Sequence, residues 1–449
     1  MSGNKLKELI GLDFKDYQRL VTEKKITYSE SRLIPALKTG DELALTSIFL
    51  SSLRLVREFR QKIFFDIKLP NNGKAYFFTE WSFEGIELAK KKASRIDGVI
   101  IIVVSGKIKD AAFIEAKKDK NELEVEQIER YQRIAKSIKV TKLITISNQF
   151  VESPSDFPLK LKSQISVVKK FHFSWTYLQT IAQLLLFENS ENIEDEDQIE
   201  IMKEVLHYLT HPKSGTSGYH QMKDGWKKVS DSIKGLSKPN QDDVQDAILS
   251  WHEEEKDMSL LLSRNLGVFV KTKKTKDSFK LLDERKILTT KLEVKNTVSD
   301  INIIADFIRE SVSMDVTFIP DLTNGSIAKI TDIKKDIQKC VKFDSDLMNS
   351  LMKDIWVELK IKNSRNKIRK NLLHLEEFSE EEGIKQKEIT EVKILLIKDL
   401  KKNFSKPKKF VTIIEQMLLD YYQGIVQHLK SWTPPAPRVK SEKKEVTQQ

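Results

Sequence analysis

Two carboxylates and one ammonium fall within a short stretch. Asp97 lies in Arg95-Ile-Asp-Gly98, and Glu115 and Lys117 lie in Ile114-Glu-Ala-Lys117. The intervening residues read as a β-hairpin, with strands over 97–104 and 111–117 and a polar turn from Ser105 to Asp110. Alternation along the second strand puts Glu115 and Lys117 on one face, with Ile114 and Ala116 on the other. An Asp at the start of the paired strand can meet them at the same end of the hairpin. Such a set suits a divalent cation and an activated water, the equipment for hydrolysing a phosphodiester. Gln127 and Tyr131 follow at i and i+4 on a helix predicted from about Glu122 to Ser137, so both lie on one helix face.

An acid-x-Lys triplet is common in this chain. It recurs at Asp13/Lys15, Glu23/Lys25, Asp66/Lys68, Glu358/Lys360 and Glu391/Lys393. Glu115/Lys117 differs because it closes a hydrophobic strand, where ions are costly unless paired or bound to something. The competing reading of the set is a charged sheet edge, with Gln127 an exposed amide and Tyr131 a half-buried core residue.

The elements that must position these residues follow from spacing. The first forty residues read as helical and polar. Leu43, Ile48, Phe49, Leu53, Val56 and Phe59 predict a helix from Asp41 to about Phe64, with Asp41 as its N-cap. A strand over 76–83 precedes the hairpin, and Thr141–Ser147 reads as a buried strand after the Gln127 helix. The order is helix, three strands, helix, strand.

This arrangement, with Asp97, Glu115-Ala-Lys117 and Gln127-Ile-Glu-Arg-Tyr131, resembles the PD-(D/E)XK nuclease superfamily. The Gln-x-x-x-Tyr element resembles its RecB-type exonuclease branch. The resemblance covers roughly residues 40–150. It implies an α/β chain with an N-terminal restriction-endonuclease-like αβββαβ core. It also implies a Mg²⁺-dependent deoxyribonuclease, with Mn²⁺ as an alternative ion. Asp97, Glu115 and the backbone carbonyl of Ala116 would be the metal ligands. Lys117 would orient the water or stabilise the transition state, and Gln127 and Tyr131 would buttress the site or touch the nucleic-acid backbone. The family often supplies a further acid from the first helix. Glu42 is the natural candidate and Glu80, on the strand before the hairpin, its rival. Asp97 follows Ile rather than Pro, and no histidine precedes the motif.

Lys and Arg number 77 against 66 Asp and Glu, a net charge of +11, so polyanions are favoured as partners, nucleic acid first; the family resemblance puts DNA ahead of RNA. A lysine-rich surface without a polyanionic partner has the same balance. Clusters at Lys90–Lys92, Lys160–Lys170, Lys271–Lys276 and Lys360–Lys370 could track phosphates, in which case binding weakens with a log–log salt slope of about −0.9 per phosphate neutralised. Phe171, Phe173, Trp175 and Tyr177 could stack bases or pack a core. The single cysteine, Cys340, excludes an internal disulfide, suits a reducing cytosol and reads as structural. No secretory leader and no membrane span is predicted, so the expected location is cytoplasmic. His207 and His211 lack a glutamate between them and precede Pro212, which reads as a helix end rather than a zinc site.

Five regions are predicted: 1–187 nuclease-like, 188–257 linker and helical segment, 258–325 β-rich, 326–433 helical, and 434–449 a disordered tail. The C-terminal part is expected to be α+β and to end in long helices. Within it, strands are expected over 259–262, 268–273 and 287–294, and a hairpin over 299–319. Helices are expected from Ile327 to Trp432, including 385–402 and 410–432, with Pro407 between those two. Those helices would serve a homo-oligomer or a protein partner. Bacterial defence or repair is the setting that analogy suggests. The alternative function is a non-catalytic nucleic-acid-binding or adaptor protein with a nuclease-like fold. A structural protein assembled through its C-terminal helices is a further alternative.

Overall fold

A computed structural model describes residues 8–30, 41–83, 95–119, 121–151, 153–163, 165–187, 193–216, 218–273 and 277–430. The chain is mixed α/β and divides into two compact units, 1–290 with 402–415, and 291–401 with 416–449. Among the described residues no helix is long and apolar enough to cross a membrane.

The first unit opens with α1 (Phe14–Thr22), β1 (Ile26–Glu30), α2 (Glu42–Leu55), α3 (Arg57–Asp66), β2 (Lys74–Phe83), β3 (Ile96–Val104) and β4 (Lys107–Ala116). Next come α4 (Val125–Ser137), β5 (Lys142–Ser147), β6 (Lys169–Ser174), α5 (Trp175–Leu186), α6 (Glu196–Thr210), α7 (Asp224–Lys234), α8 (Gln241–Leu266), β7 (Lys271–Lys273) and α9 (Ser278–Arg285). Strands β1 to β6 form one sheet in sequential order. It is antiparallel from β1 to β4 and parallel from β4 to β6. Apolar residues of α2, α3 and α5 pack with Ile100, Ile114 and Ile144, while α1 and α4 pack with Val99, Ile101 and Phe113. Both faces are therefore covered, which is why the central strands read as continuous apolar runs rather than alternating ones.

The β3–β4 turn is shorter than the predicted Ser105–Asp110 loop. Ser105 (φ 50°) and Gly106 (φ 75°) make a two-residue left-handed turn of the kind that matches strand twist. A bulge between Ile102 and Val103 then shifts the register. Val103 pairs with Ile108, but Ile102 pairs with Asp110, leaving Lys109 as the extra residue. A one-residue slip moves every side chain to the other face. Beyond the bulge Gly98 pairs with Ile114, so Asp97 stands across from Glu115. Without it, Asp97 would stand across from Ile114 and face away.

Strand β8 (Ile287–Glu293) leads into the second unit, which holds β9 (Ile301–Asp306), β10 (Ser311–Phe318), α10 (Ser326–Phe343), α11 (Ser345–Leu351), β11 (Ile355–Ile361) and β12 (Lys367–Asn371). The single-turn α12 (Glu377–Glu380) and β13 (Ile389–Asp399) follow, and α13 (Pro407–Gly424) ends the regular helices. Here the strands pair antiparallel in the order β12-β11-β13-β10-β9. Tyr421 pins this sheet, its hydroxyl donating to the Ile394 carbonyl at 2.7 Å and accepting from the Val316 amide at 3.1 Å.

Several expectations need correction. The first forty residues include β1, which pairs with β2. The predicted helix from Asp41 breaks at Val56 into α2 and α3. Residues 259–262, expected as a strand, lie inside α8, whose buried Ile248, Trp251, Glu255, Met258 and Leu262 recur at helical spacing. The span 385–402 is mostly β13, because Val392, Ile394 and Leu396 alternate with Lys393 and Leu395. Likewise 355–361 and 367–371 are strands within the span expected to be helical. Pro407 begins α13 rather than separating helices, a position where its missing N–H costs nothing. The 299–319 hairpin is present as β9 and β10. His211 caps the C-terminus of α6. Cys340 is buried in α10, its thiol pushed up to about 11 by burial. The tail from 434 lies outside the described residues.

Candidate active site

Strand β4 ends where its parallel neighbours β5 and β6 also end, the edge at which open α/β sheets bind ligands. Lys117 is held there through its backbone. Its amide donates to the Ile146 carbonyl at 2.8 Å, and its carbonyl accepts from Trp175 Nε1 at 2.8 Å. The Lys117 ammonium sits 2.7 Å from Glu115 Oε1 and 3.8 Å from Glu42 Oε2. Gln127, on the first turn of α4, donates from Nε2 to the same Glu115 Oε1 at 2.7 Å. Its Nε2 also lies 3.4 Å from Tyr131 Oη, and that hydroxyl donates to the Arg95 carbonyl at 2.9 Å. The structure thus brings together Asp97, Glu115, Lys117, Gln127, Tyr131 and Glu42.

Glu115 is fully buried. Its Oε1 takes two donors, while its Oε2 is shielded from solvent with no hydrogen-bond partner. Beside it, Asp97 Oδ2 accepts only a long bond, 3.4 Å, from the Ala116 amide. Burial, then the charge of the adjacent Glu115 carboxylate, push the Asp97 carboxyl up to about 8, against the pull of the Ala116 amide and Lys117. Burial works against the Lys117 ammonium, but Glu115, Glu42 and Asp97 outweigh it and hold its pKa above the ordinary value. Burial and the two carboxylates raise the Tyr131 phenol as well, so it keeps its proton and serves as a donor.

A dication fits this arrangement. It would give Glu115 Oε2 the partner it lacks and offset both the burial and the Glu115 charge that raise Asp97. Among the described residues no three His, Cys, Asp or Glu side chains gather closely enough to hold a metal by themselves. Two carboxylates would leave the other positions of such an ion to the Ala116 carbonyl and to water, as suits a hard cation that keeps several waters.

Of the two candidate acids, Glu42 joins the cluster. Asp41 caps α2 by accepting from the Leu43 amide at 2.8 Å, which sets Glu42 on the first turn beside Lys117. Glu42 Oε1 accepts from Asn121 Nδ2 at 2.8 Å and, at 3.4 Å, from the Lys118 amide. Glu80 instead forms an ion pair with Arg95 at 2.5 Å from a backbone with φ 51°. Gly98 lets α2 approach. A Cβ there would lie 3.0 Å from Leu50 Cδ1 and 3.1 Å from Thr46 Cγ2. Gly98→Ala is expected to destabilise the chain by about 1–3 kcal/mol through overpacking, read as a lower urea midpoint. An unchanged midpoint would show that α2 yields freely.

Asn121, Asn148 and Trp175 are site residues that motif spacing did not single out for this edge. Asn148, just past β5, donates from Nδ2 to the carbonyls of Asp119 and Gly215 at 3.0 and 2.9 Å, tying the loop after Lys117 to the loop after α6. The usable signal was position alone, since each follows a parallel strand or its loop. Phe171, Phe173, Trp175 and Tyr177 are buried and pack the core rather than offering faces to bases. In the basic run 360–370, Lys367 and Arg369 are both held by Glu358 at 2.7 and 2.6 Å. Lys90–Lys92 and 274–276 lie outside the described residues.

Comparisons with protein-family models, with curated proteins and with solved structures found no match to this chain.

Proposed function

We propose that the chain is a Mg²⁺-dependent nuclease of restriction-endonuclease-like architecture that hydrolyses phosphodiester bonds of nucleic acid, DNA ahead of RNA. The observation that carries this reading is the buried Glu115, doubly anchored on Oε1 by Lys117 and Gln127 with Oε2 unpartnered beside Asp97. Asp97, Glu115 and the Ala116 carbonyl would hold the ion. When bound, Mg²⁺ lowers the pKa of a coordinated water and neutralises charge on the phosphate. The chain's own residues do the rest. Gln127 fixes the Glu115 rotamer, Tyr131 locks Gln127 against the Arg95 carbonyl, and Glu42 keeps Lys117 at the strand end. Lys117 presents a positive charge where the pentavalent phosphate gains negative charge.

The test uses purified full-length chain with linear and supercoiled DNA and with RNA, in Mg²⁺ and in chelator. Cleavage is expected in Mg²⁺ alone and is lost in Asp97→Ala. Gln127→Ala is expected to cut the rate about 10–100-fold, the usual effect of removing a partner of a ligating group. Nucleic-acid binding without cleavage across metals and substrates would replace this reading with the non-catalytic adaptor.

A further inference from the structure

A second site lies in the first unit between α3, α5 and β7, as a pocket of about 630 Å³, within the size range of small-molecule sites. It has two chemical halves. Arg57 and Lys62 on α3 and Lys271 on β7 supply cations, and Leu184, Leu185 and Phe269 supply an apolar wall. Lys62 leans towards Asp66 at 3.7 Å. The exposed Arg57 and Lys271 side chains have no partner among the described residues. Helix α3 begins there; its first amide, that of Arg57, is taken by Gln198 Oε1 at 2.7 Å, and the next amides of the first turn add positive potential. The Phe269 ring is steadied by Tyr177, edge-on with centroids 6.2 Å apart.

Glu58 and Glu194 also line the pocket. Among the described lining residues three cations stand against two acids, a balance of +1, which suits a single phosphate rather than a strand of them. An apolar wall that includes one aromatic ring, beside the unpaired Arg57 and Lys271, suits a ligand with an apolar planar end and an anionic end. We infer that this pocket binds a free nucleoside monophosphate. Arg57 and Lys271 hold its phosphate, and its base lies against Phe269 and Leu184. The inference is independent of the nuclease reading.

Calorimetric titration of the full chain with AMP, GMP, CMP and UMP tests it, alongside inorganic phosphate. At least one nucleotide is expected to bind saturably, one per chain, and more tightly than phosphate. Arg57→Ala and Lys271→Ala, both at exposed positions, are each expected to weaken binding about tenfold, equivalent to about 1.4 kcal/mol and typical of a charged hydrogen bond. Phe269→Leu is expected to cause a similar loss through base stacking, and Asp97→Ala to bind as wild type. The assignment is overturned if none of the four nucleotides binds. It is also overturned if phosphate binds as tightly with Phe269→Leu silent, or if Asp97→Ala abolishes binding and so moves the ligand to the other site.

Discussion

Replacing Lys117 by methionine is expected to lower Mg²⁺-dependent cleavage by about 10²–10³-fold or more, the loss that follows removal of one preorganised electrostatic stabiliser. The backbone of Lys117 is fixed by Ile146 and Trp175, and methionine retains most of the buried stem, so circular dichroism should be unchanged. What disappears is the ammonium 2.7 Å from Glu115. That ammonium also lowers Asp97, so its loss leaves Asp97 more firmly protonated and the carboxylate pair less able to take a cation. Lys117→Arg is not expected to rescue the rate, because a planar guanidinium cannot occupy the position of a compact point charge. Single-turnover cleavage measures both variants, and wild-type rates in Lys117→Met would remove the side chain from the chemistry.

The second large effect is on stability. Glu254 in α8 is fully buried with neither carboxylate oxygen hydrogen-bonded. Burial first, then the charges of Glu415 and Asp257, raise it well above the ordinary value. Its neighbours follow the same direction. Burial and the shared Asp257 contact push Glu415 up to about 8. Burial takes Asp257 to about 6 despite Arg264. A carboxyl raised in the folded state keeps a proton that the unfolded chain has lost, so these groups cost stability progressively as pH rises from the ordinary carboxylate range to about 8. Glu254→Met is therefore expected to stabilise the chain by about 1–4 kcal/mol near pH 8. The gain should be much smaller near pH 5, only just above the ordinary glutamate value of 4.5, where releasing the proton stabilises the unfolded chain little. Urea midpoints at the two pH values read this directly. A destabilised Glu254→Met at both would mean that the carboxylate has a partner worth more than its burial costs.

Much of the first unit is legible from spacing. The order of helix, three strands, helix and strand follows from apolar periodicity, whereas the meeting of Glu115 with Gln127 is implied only by the family resemblance of the motif. The bulge at Lys109 is not legible, yet it brings Asp97 to the Glu115 face. Ser105-Gly106 and the four residues that follow, Lys107 to Asp110, permit several turn lengths, and only pairing along the whole hairpin selects one. Glu42 and Glu80 are equivalent as types. The Asp41 cap of α2 is local and readable, but the close approach of α2 at Gly98, which separates the two acids, is a tertiary fact. In the second unit, lysine-rich strands such as Lys367–Asn371 and Ile389–Asp399 read as helix because lysine content masks a period of two. Within α8, Met258, Leu260 and Leu262 alternate locally, and only a window longer than ten residues recovers the helix.

Single-turnover cleavage of end-labelled DNA by wild type and by Glu115→Gln, in Mg²⁺ and in chelator, bears most directly on the proposed site. Glutamine keeps the shape and a carbonyl oxygen for Gln127 and Lys117 but removes the charge that a cation needs. Cleavage by wild type in Mg²⁺, with none from Glu115→Gln and none in chelator, is the expected result. Equal rates for the two proteins, or cleavage that persists in chelator, would contradict it.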